Sequence, residues 1–204
     1  ANEYPANVSY QKGDVRNLPA LKKVLGGCDS VIHTAAALPL YAPREIFEVN
    51  VQGTQNVLES ALENGVKKFV HISSTAVYGV PIKHPIEESD ARIGVGPYGE
   101  SKIEAEKICE LYRSKGLCVS IIRPKTFVGP ERLGVFQILY DWIESGAKIP
   151  VIGNGKNLYQ LLDVYDLVTA IEILLTGPVQ NVNDVFNVGA EKFSTVHEDV
   201  GELC

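Results

Sequence analysis

Three short apolar runs constrain this chain more than any other feature: Val31-Ile32-His33-Thr34-Ala35-Ala36, Lys68-Phe69-Val70-His71-Ile72 and Cys118-Val119-Ser120-Ile121-Ile122. A strand with one wet face alternates apolar and polar residues. Runs this continuous predict strands buried on both faces, which is the habit of parallel sheets. Between them, apolar residues recur at helical spacing. Phe47, Val51, Thr54, Leu58 and Ala61 form one stripe before Gly65, and Ala105, Ile108, Cys109 and Tyr112 form another before Gly116. Phe136, Leu139, Trp142 and Ile143 mark a later helix. Asp163 caps a helix carrying Leu167, Val168, Ile171 and Leu174, which Gly177-Pro178 stops. Val185-Phe186-Asn187-Val188 reads as one more strand, and residues 195–204 as a helix. Strand–helix alternation of this kind predicts an α/β fold whose parallel sheet is covered on both faces. Ligands on such sheets sit beyond the carboxyl ends of the strands, so chemistry is expected just after Ala36, Ile72 and Ile122.

Composition narrows the function. The 204 residues suit one ordinary domain, and 19 basic against 25 acidic residues leave a net charge of −6. A nucleic-acid footprint needs a basic face, so no nucleic-acid partner is expected. No apolar run approaches the roughly 20 residues of a membrane span, and no basic flank with an apolar stretch marks a secretory signal. No membrane partner is expected. Cys28, Cys109, Cys118 and Cys204 form no C-x-x-C pair, and His33, His71, His84 and His197 are scattered. That pattern predicts no metal site, reduced thiols, structural histidines and a cytoplasmic location. The chain contains no Met, which reads as part of a longer protein.

The strongest chemical signal is Tyr98-Gly99-Glu100-Ser101-Lys102 at a helix start. Spacing i, i+4 puts phenol and ammonium on one helix face. A free tyrosine, with pKa about 10, is a poor base at neutral pH. A neighbouring ammonium favours the phenolate and moves Tyr98 toward use as an acid/base. Ser73, Ser74 and Thr75 close the preceding strand, where a hydroxyl can hold a substrate oxygen while Tyr98 moves its proton. A G-x-G-x-x-G string also occurs, Gly94-Val95-Gly96-Pro97-Tyr98-Gly99. No apolar strand precedes it and its end belongs to the Tyr–Lys motif, so it is not a phosphate loop.

Phe69-Val70-His71-Ile72-Ser73-Ser74-Thr75-Ala76-Val77-Tyr78-Gly79, followed by Pro97-Tyr98-Gly99-Glu100-Ser101-Lys102, resembles the extended short-chain dehydrogenase/reductase family, the NAD-dependent epimerases and dehydratases. Gly13-Asp14-Val15-Arg16-Asn17, His33-Thr34-Ala35-Ala36, Asn50-Val51-Gln52-Gly53-Thr54-Gln55-Asn56, Arg123-Pro124 through Gly129-Pro130, and Phe186-Asn187-Val188-Gly189 match in family order. The resemblance implies a Rossmann-like doubly wound sheet and an NAD(P)-dependent oxidoreductase or epimerase. Ser74, Tyr98 and Lys102 would be catalytic. Asp14, Val15, Ala35, Ala36, Asn50, Tyr98, Lys102 and Pro124 would bind NAD or NADP, and Ser74, Thr75 and Thr126 the substrate, a small molecule. Hydride would pass between a substrate carbon and the nicotinamide while Tyr98 exchanges the hydroxyl proton. A homodimer through segments 45–62 and 101–113 is a further implication.

Departures from the family pattern shape the remaining expectations. The family's G-x-x-G-x-x-G loop is absent, so the resemblance implies an N-terminally truncated fold that lacks the first strand and that loop. Residues 1–130 would be an incomplete dinucleotide-binding region, and 131–204 part of a small C-terminal substrate-binding region interleaved with the last strands. A gap would then separate a strand near Val8-Ser9-Tyr10 from the one near Val31. Thr126 stands where sugar-nucleotide members carry Asn, and Tyr159-Gln160 where they often place Arg. Both changes weaken the nucleotide-sugar reading, and the Arg123-Pro124 form resembles members that act on sterol- or flavonoid-like alcohols and ketones. The substrate stays open between the two classes, with Lys125, Arg132 or Lys156 left to meet any anionic group. The alternative to an enzyme is a non-catalytic dinucleotide-binding regulator or redox sensor of the same fold.

Overall fold

The apolar runs become three adjacent strands of a parallel sheet in a computed structural model, which describes residues 5–130, 136–149 and 153–203. The second and third are inner strands, while the first lies at the edge of the described sheet with Ile32 exposed. The strands of the described residues are β1 (Ser30–His33), β2 (Lys68–Ile72), β3 (Cys118–Pro124), β4 (Phe127–Val128), β5 (Leu162–Asp163) and β6 (Val185–Val188). β1, β2, β3 and β6 lie side by side in that order, every pairing parallel. β4 and β5 make a separate parallel pair just past the end of β3.

The helices are α1 (Leu18–Val24), α2 (Pro43–Phe47), α3 (Thr54–Glu63), α4 (Gly96–Ser114), α5 (Phe136–Glu144), α6 (Val164–Thr176), α7 (Val179–Val182) and α8 (Val196–Leu203). They cover both faces of the sheet, as two separate cores require. Phe69, Val31, Val119 and Ile121 pack on Val57, Leu58 and Ala61 of α3 and on Cys109 and Tyr112 of α4. On the opposite face Val70 and Ile122 pack on Leu167 and Leu174 of α6 and Val182 of α7. Each fully buried Phe or Ile contributes roughly 1.5–3 kcal/mol to holding these layers together. Phe136 and Leu139 have side chains outside the described residues, whereas Trp142 and Ile143 are half-buried.

Two strand expectations change. β1 ends at His33 rather than running on to Ala36. Beyond it the Asn50 carboxamide takes the Ala37 backbone, accepting from its N–H at 2.7 Å and donating to its carbonyl at 3.2 Å. A side chain thereby satisfies backbone groups that a strand would have paired. Val8-Ser9-Tyr10 forms no strand, and Val8 and Tyr10 are exposed. A strand exists only by pairing, and among the described residues none pairs with the outer edge of β1. The helix read across Phe47 to Ala61 does form, but with a π turn at Glu48–Gly53 joining α2 to α3.

The carboxyl ends of β2 and the start of α4 are locked together by close backbone approach. The Gly94 N–H donates to the Val77 carbonyl at 2.9 Å. A Cβ on Gly99 would lie 3.0 Å from the Ala76 carbonyl oxygen and 3.2 Å from the Gly94 Cα, so any side chain there crowds the backbone between α4 and the turn after β2. Beneath this junction sit two buried histidines, His33 on β1 and His71 opposite it on β2, with ring centroids 5.5 Å apart. The Thr54 hydroxyl gives its proton to the Asn50 carbonyl at 2.7 Å, so the 3.0 Å contact to His33 Nε2 requires that nitrogen to be the donor. Neither ring nitrogen of His71 has a hydrogen-bond partner among the described residues. Burial, helped by the nearby Lys102 ammonium, pushes His33 down to about 3. The same causes hold His71 well below the usual imidazole range. Both rings are neutral at pH 7.

Two outcomes follow for stability. Gly99→Ala is expected to cost about 1–3 kcal/mol through overpacking against the Ala76 carbonyl, read as a lower urea midpoint; an unchanged midpoint would contradict the packing described. The histidines make the fold acid-labile. Unfolded imidazoles bind protons near pH 6.5 while the folded ones do not, so stability is full above that pH and falls as pH drops. Between pH 4.5 and 6.5 His33 contributes up to about 1.4 kcal/mol per pH unit, and His71 acts in the same direction. His71→Phe is expected to lower that slope in urea titrations at stepped pH.

Candidate active site

β2 runs out at Ile72, and its two following serines go separate ways. The Ser73 N–H still donates to the Ile122 carbonyl of β3 at 2.7 Å, and its hydroxyl donates to Glu106 Oε1 at 2.6 Å. Ser74 is half-buried and extended, and its Oγ accepts from the Ala76 N–H at 3.1 Å, capping the 3₁₀ turn Thr75–Tyr78. That bond engages one of two lone pairs on the hydroxyl.

α4 opens from extended Val95, with Pro97 in its first turn as helix starts favour. Tyr98 and Lys102 stand one turn apart on it. Lys102 is buried, and its Nζ donates to the Ile72 carbonyl at 2.9 Å while lying 5.9 Å from the centroid of the Tyr98 ring. Burial lowers the Lys102 ammonium to about 8, against opposing pulls from Cys109 and Glu106. The group is therefore mostly charged at pH 7 and loses its charge just above. The turn bearing Tyr98 is held from below: the Ser101 hydroxyl donates to the Tyr98 carbonyl at 2.7 Å, and Asn50 Nδ2 donates to Ser101 Oγ at 3.0 Å. The structure thus brings Tyr98 and Lys102 together on α4 and ties Lys102 to the end of β2, from which the segment carrying Ser74 leaves.

The residues expected to meet a dinucleotide differ in what they leave open. Ala35 is exposed and Ala36 half-buried, leaving backbone open past the end of β1. Asp14 is exposed, and its carboxylate accepts from the Arg16 N–H at 2.8 Å and from the Arg16 guanidinium at 2.6 Å, which holds it down to about 2. Val15 lies against the π turn, where its Cγ2 would be 2.6 Å from a Cβ on Gly53, and its carbonyl accepts from Asn56 Nδ2 at 3.1 Å. Asn50 spends its carboxamide on Ala37 and Ser101, so it shapes the 35–37 segment rather than presenting an amide outward. Pro124 is buried, in register with Val188 of β6. Of the residues expected to meet a substrate, Thr75 is half-buried in the turn, and Thr126 Oγ1 accepts from the Tyr159 hydroxyl at 3.0 Å. Lys125 is half-buried and Lys156 exposed, while Arg132 lies outside the described residues. No group of three or more His, Cys, Asp or Glu among the described residues is arranged to hold a metal ion.

Sequence reasoning missed the charged pair behind the site. Glu106 is fully buried on α4, and Arg123 is the next-to-last residue of buried β3. Arg123 Nε and Nη2 donate to the two Glu106 oxygens at 2.9 and 2.7 Å, and Arg92 Nη1 adds a third contact at 3.0 Å. Burial works to raise the Glu106 carboxyl, but the hydrogen bonds from Arg123 and Ser73 outweigh it and leave it below the usual range. The available signal was a guanidinium closing the apolar run Ile121-Ile122, and a carboxylate one turn beyond Lys102 on the same face.

Comparison with known proteins fits this geometry. A 38% identical protein of Sinorhizobium fredii, y4nG, aligns over 94% of this chain and 48% of its own length. The N-acetyl-alpha-D-glucosaminyl-diphospho-ditrans,octacis-undecaprenol 4-epimerase of Escherichia coli O157:H7 is 35% identical over 81% of this chain and 51% of that protein. The crystal structure of DesIV, a dTDP-glucose 4,6-dehydratase from Streptomyces venezuelae with NAD and TYD bound, superposes with TM-score 0.83 at 28% identity, over 94% of this chain and 61% of that one. The chain spans about half the length of the curated relatives it matches. A family model matches residues 1–189, and the chain belongs to the NAD dependent epimerase/dehydratase family.

Proposed function

We propose that the protein containing this chain is an NAD-dependent oxidoreductase or epimerase that acts on a hydroxyl or keto carbon of a sugar carried on a diphosphate. One observation carries the reading: a buried ammonium, Lys102, stands one turn from Tyr98 and is bonded to the carbonyl that ends the strand delivering Ser74. The residues fit a dinucleotide. Ala35 and Ala36 leave a backbone path that larger side chains would fill, and Lys102 offers N–H donors at the lip to a ribose hydroxyl. Because the Asp14 carboxylate is tied to Arg16, the backbone of 14–15 rather than that carboxylate would meet the adenine.

Bound NAD would supply the acceptor and return point for hydride. The chain's own groups would do the rest. Tyr98 takes the proton from the substrate hydroxyl as the carbon is oxidised and gives it back on reduction. Lys102 favours the phenolate by its charge. Ser74 holds the substrate oxygen within reach of the phenol. The diphosphate-sugar class is supported by the relatives, an undecaprenol-diphosphosugar epimerase and dTDP-glucose dehydratases. That favours the sugar reading over a sterol-like substrate, with the neutral Thr126–Tyr159 pair lining the substrate side.

The test is made on the full-length protein. NADH titration followed by nicotinamide fluorescence is expected to saturate, and Tyr98→Phe to cut kcat by about 10²–10⁴-fold with NADH affinity within about twofold. Near wild-type kcat would remove Tyr98 from the chemistry, and no NADH response would remove the cofactor. Since Lys102 loses its charge near pH 8, NADH affinity is expected to weaken between pH 7 and 9, and Lys102→Met to flatten that dependence.

A further inference from the structure

We infer that Arg123 is a positioning residue, whose single guanidinium sets the spacing between the turn that carries Ser74, the helix that carries Tyr98 and Lys102, and the loop that joins them. The inference deepens the proposed function and rests on it. Arg123 is almost fully buried, so it acts through other groups. Its Nε and Nη2 grip both oxygens of Glu106, one turn beyond Lys102 on α4. Its Nη1 donates to the Tyr78 hydroxyl at 2.6 Å and to the Glu88 carbonyl at 3.1 Å. Tyr78 ends the 3₁₀ turn that Ser74 caps, and Glu88 lies midway along the 79–94 loop.

That loop is tied at its base and at its middle. The Gly94 N–H to Val77 carbonyl bond closes the base. At the middle, the Asn187 N–H donates to Glu88 Oε1 at 2.7 Å and its Nδ2 to the Ile86 carbonyl at 3.3 Å. The Tyr78 hydroxyl, having accepted from Arg123, donates onward to Asn187 Oδ1 at 2.7 Å. Arg92 returns the loop to α4 through Glu106 and Glu110 at 3.0 and 2.8 Å. Ser73, the neighbour of Ser74, is held by the same Glu106 carboxylate. Every segment bearing a reacting group therefore reaches Arg123 through one intermediate at most. A planar fork with fixed donor directions can hold three segments at set distances; a lysine, a single point charge on a flexible stem, cannot.

A network that only stabilised the fold would also be sensitive to mutation, so the test separates the two roles. Tyr78→Phe keeps the ring and removes the oxygen that joins Arg123 to Asn187. With the full-length enzyme and a UDP-sugar, it is expected to lower kcat about tenfold or more, with KM for sugar and NAD changed less than twofold. Arg123→Lys is expected to lower kcat further. Hydrogen exchange reads the positioning without turnover. Amides of 74–79, 86–94 and 98–102 are expected to exchange faster in both variants, while Val31–His33 and Val164–Thr176 keep wild-type rates. Wild-type kcat in Tyr78→Phe, unchanged exchange in those three segments, or uniform acceleration across the chain would each overturn the inference. If Arg123→Lys does not fold, Tyr78→Phe decides alone. A wild-type enzyme without turnover would count against the proposed function instead, and the exchange pattern would still judge the positioning.

Discussion

The Lys102 ammonium bonded to the Ile72 carbonyl is the contact around which the rest of the site is arranged. Taking a cation out of water costs several kcal/mol unless partners are supplied, and here burial alone brings the group down to about 8. The fold meets that cost in three ways. β2 ends where it does, so that Ile72 has a carbonyl to give. Glu106 places a carboxylate one turn further along the same helix face. The two histidines nearest the cation remain neutral and add no second charge. The consequence is visible in α4, whose buried side is polar over Ser101, Lys102 and Glu106 and apolar at Ala105, Cys109 and Tyr112.

That mixed face explains how much of the fold could be read from the residues. The strands were legible because burial on both faces leaves an apolar run with little interruption, as at Phe69-Val70 and Ile121-Ile122. The helices were legible wherever their stripe met a purely apolar neighbour, as Leu58 and Ala61 meet Phe69. The end of β1 was not, because what stops it is the Asn50 side chain, distant in sequence and specified by no local pattern. The π turn escaped for a related reason. Nothing in the residue types of 48–53 marks the change to i→i+5 bonding, and Thr54 is still buried beyond it. A strand at Val8-Ser9-Tyr10 has the right composition, but among the described residues no strand pairs with it, and composition alone cannot supply one.

The site divides along the same line. Tyr98 and Lys102 declare themselves because their spacing is local and their chemistry complementary. Glu106 and Arg123 do not, since a charge in a sequence is by default a solvated one, and only the fold brings them together. Thr126 and Tyr159 are far apart in the chain yet share a hydrogen bond. Read singly as lost polar contacts, they suggested a substrate without a diphosphate. Read as a pair, they satisfy one another, the Tyr159 hydroxyl donating to Thr126 Oγ1.

Ser73 and Ser74 show how one stretch of backbone serves both stability and chemistry. Extended backbone sends neighbouring side chains to opposite sides, and Ser74 is still extended at φ −164°. Ser73 therefore turns into the molecule and completes the Glu106 carboxylate, whereas Ser74 turns toward the lip and caps the turn that leads to Tyr78. The carboxylate that Ser73 completes is gripped by Arg123, and Arg123 in turn holds the hydroxyl of Tyr78. The turn is thus fixed at both ends, by a serine cap at its start and a guanidinium at its close, before any ligand arrives. Preorganisation of this kind places its cost in folding rather than in the reaction. A turn held so has little freedom to adjust, because moving either end means breaking a hydrogen bond to a buried charge or to its own cap.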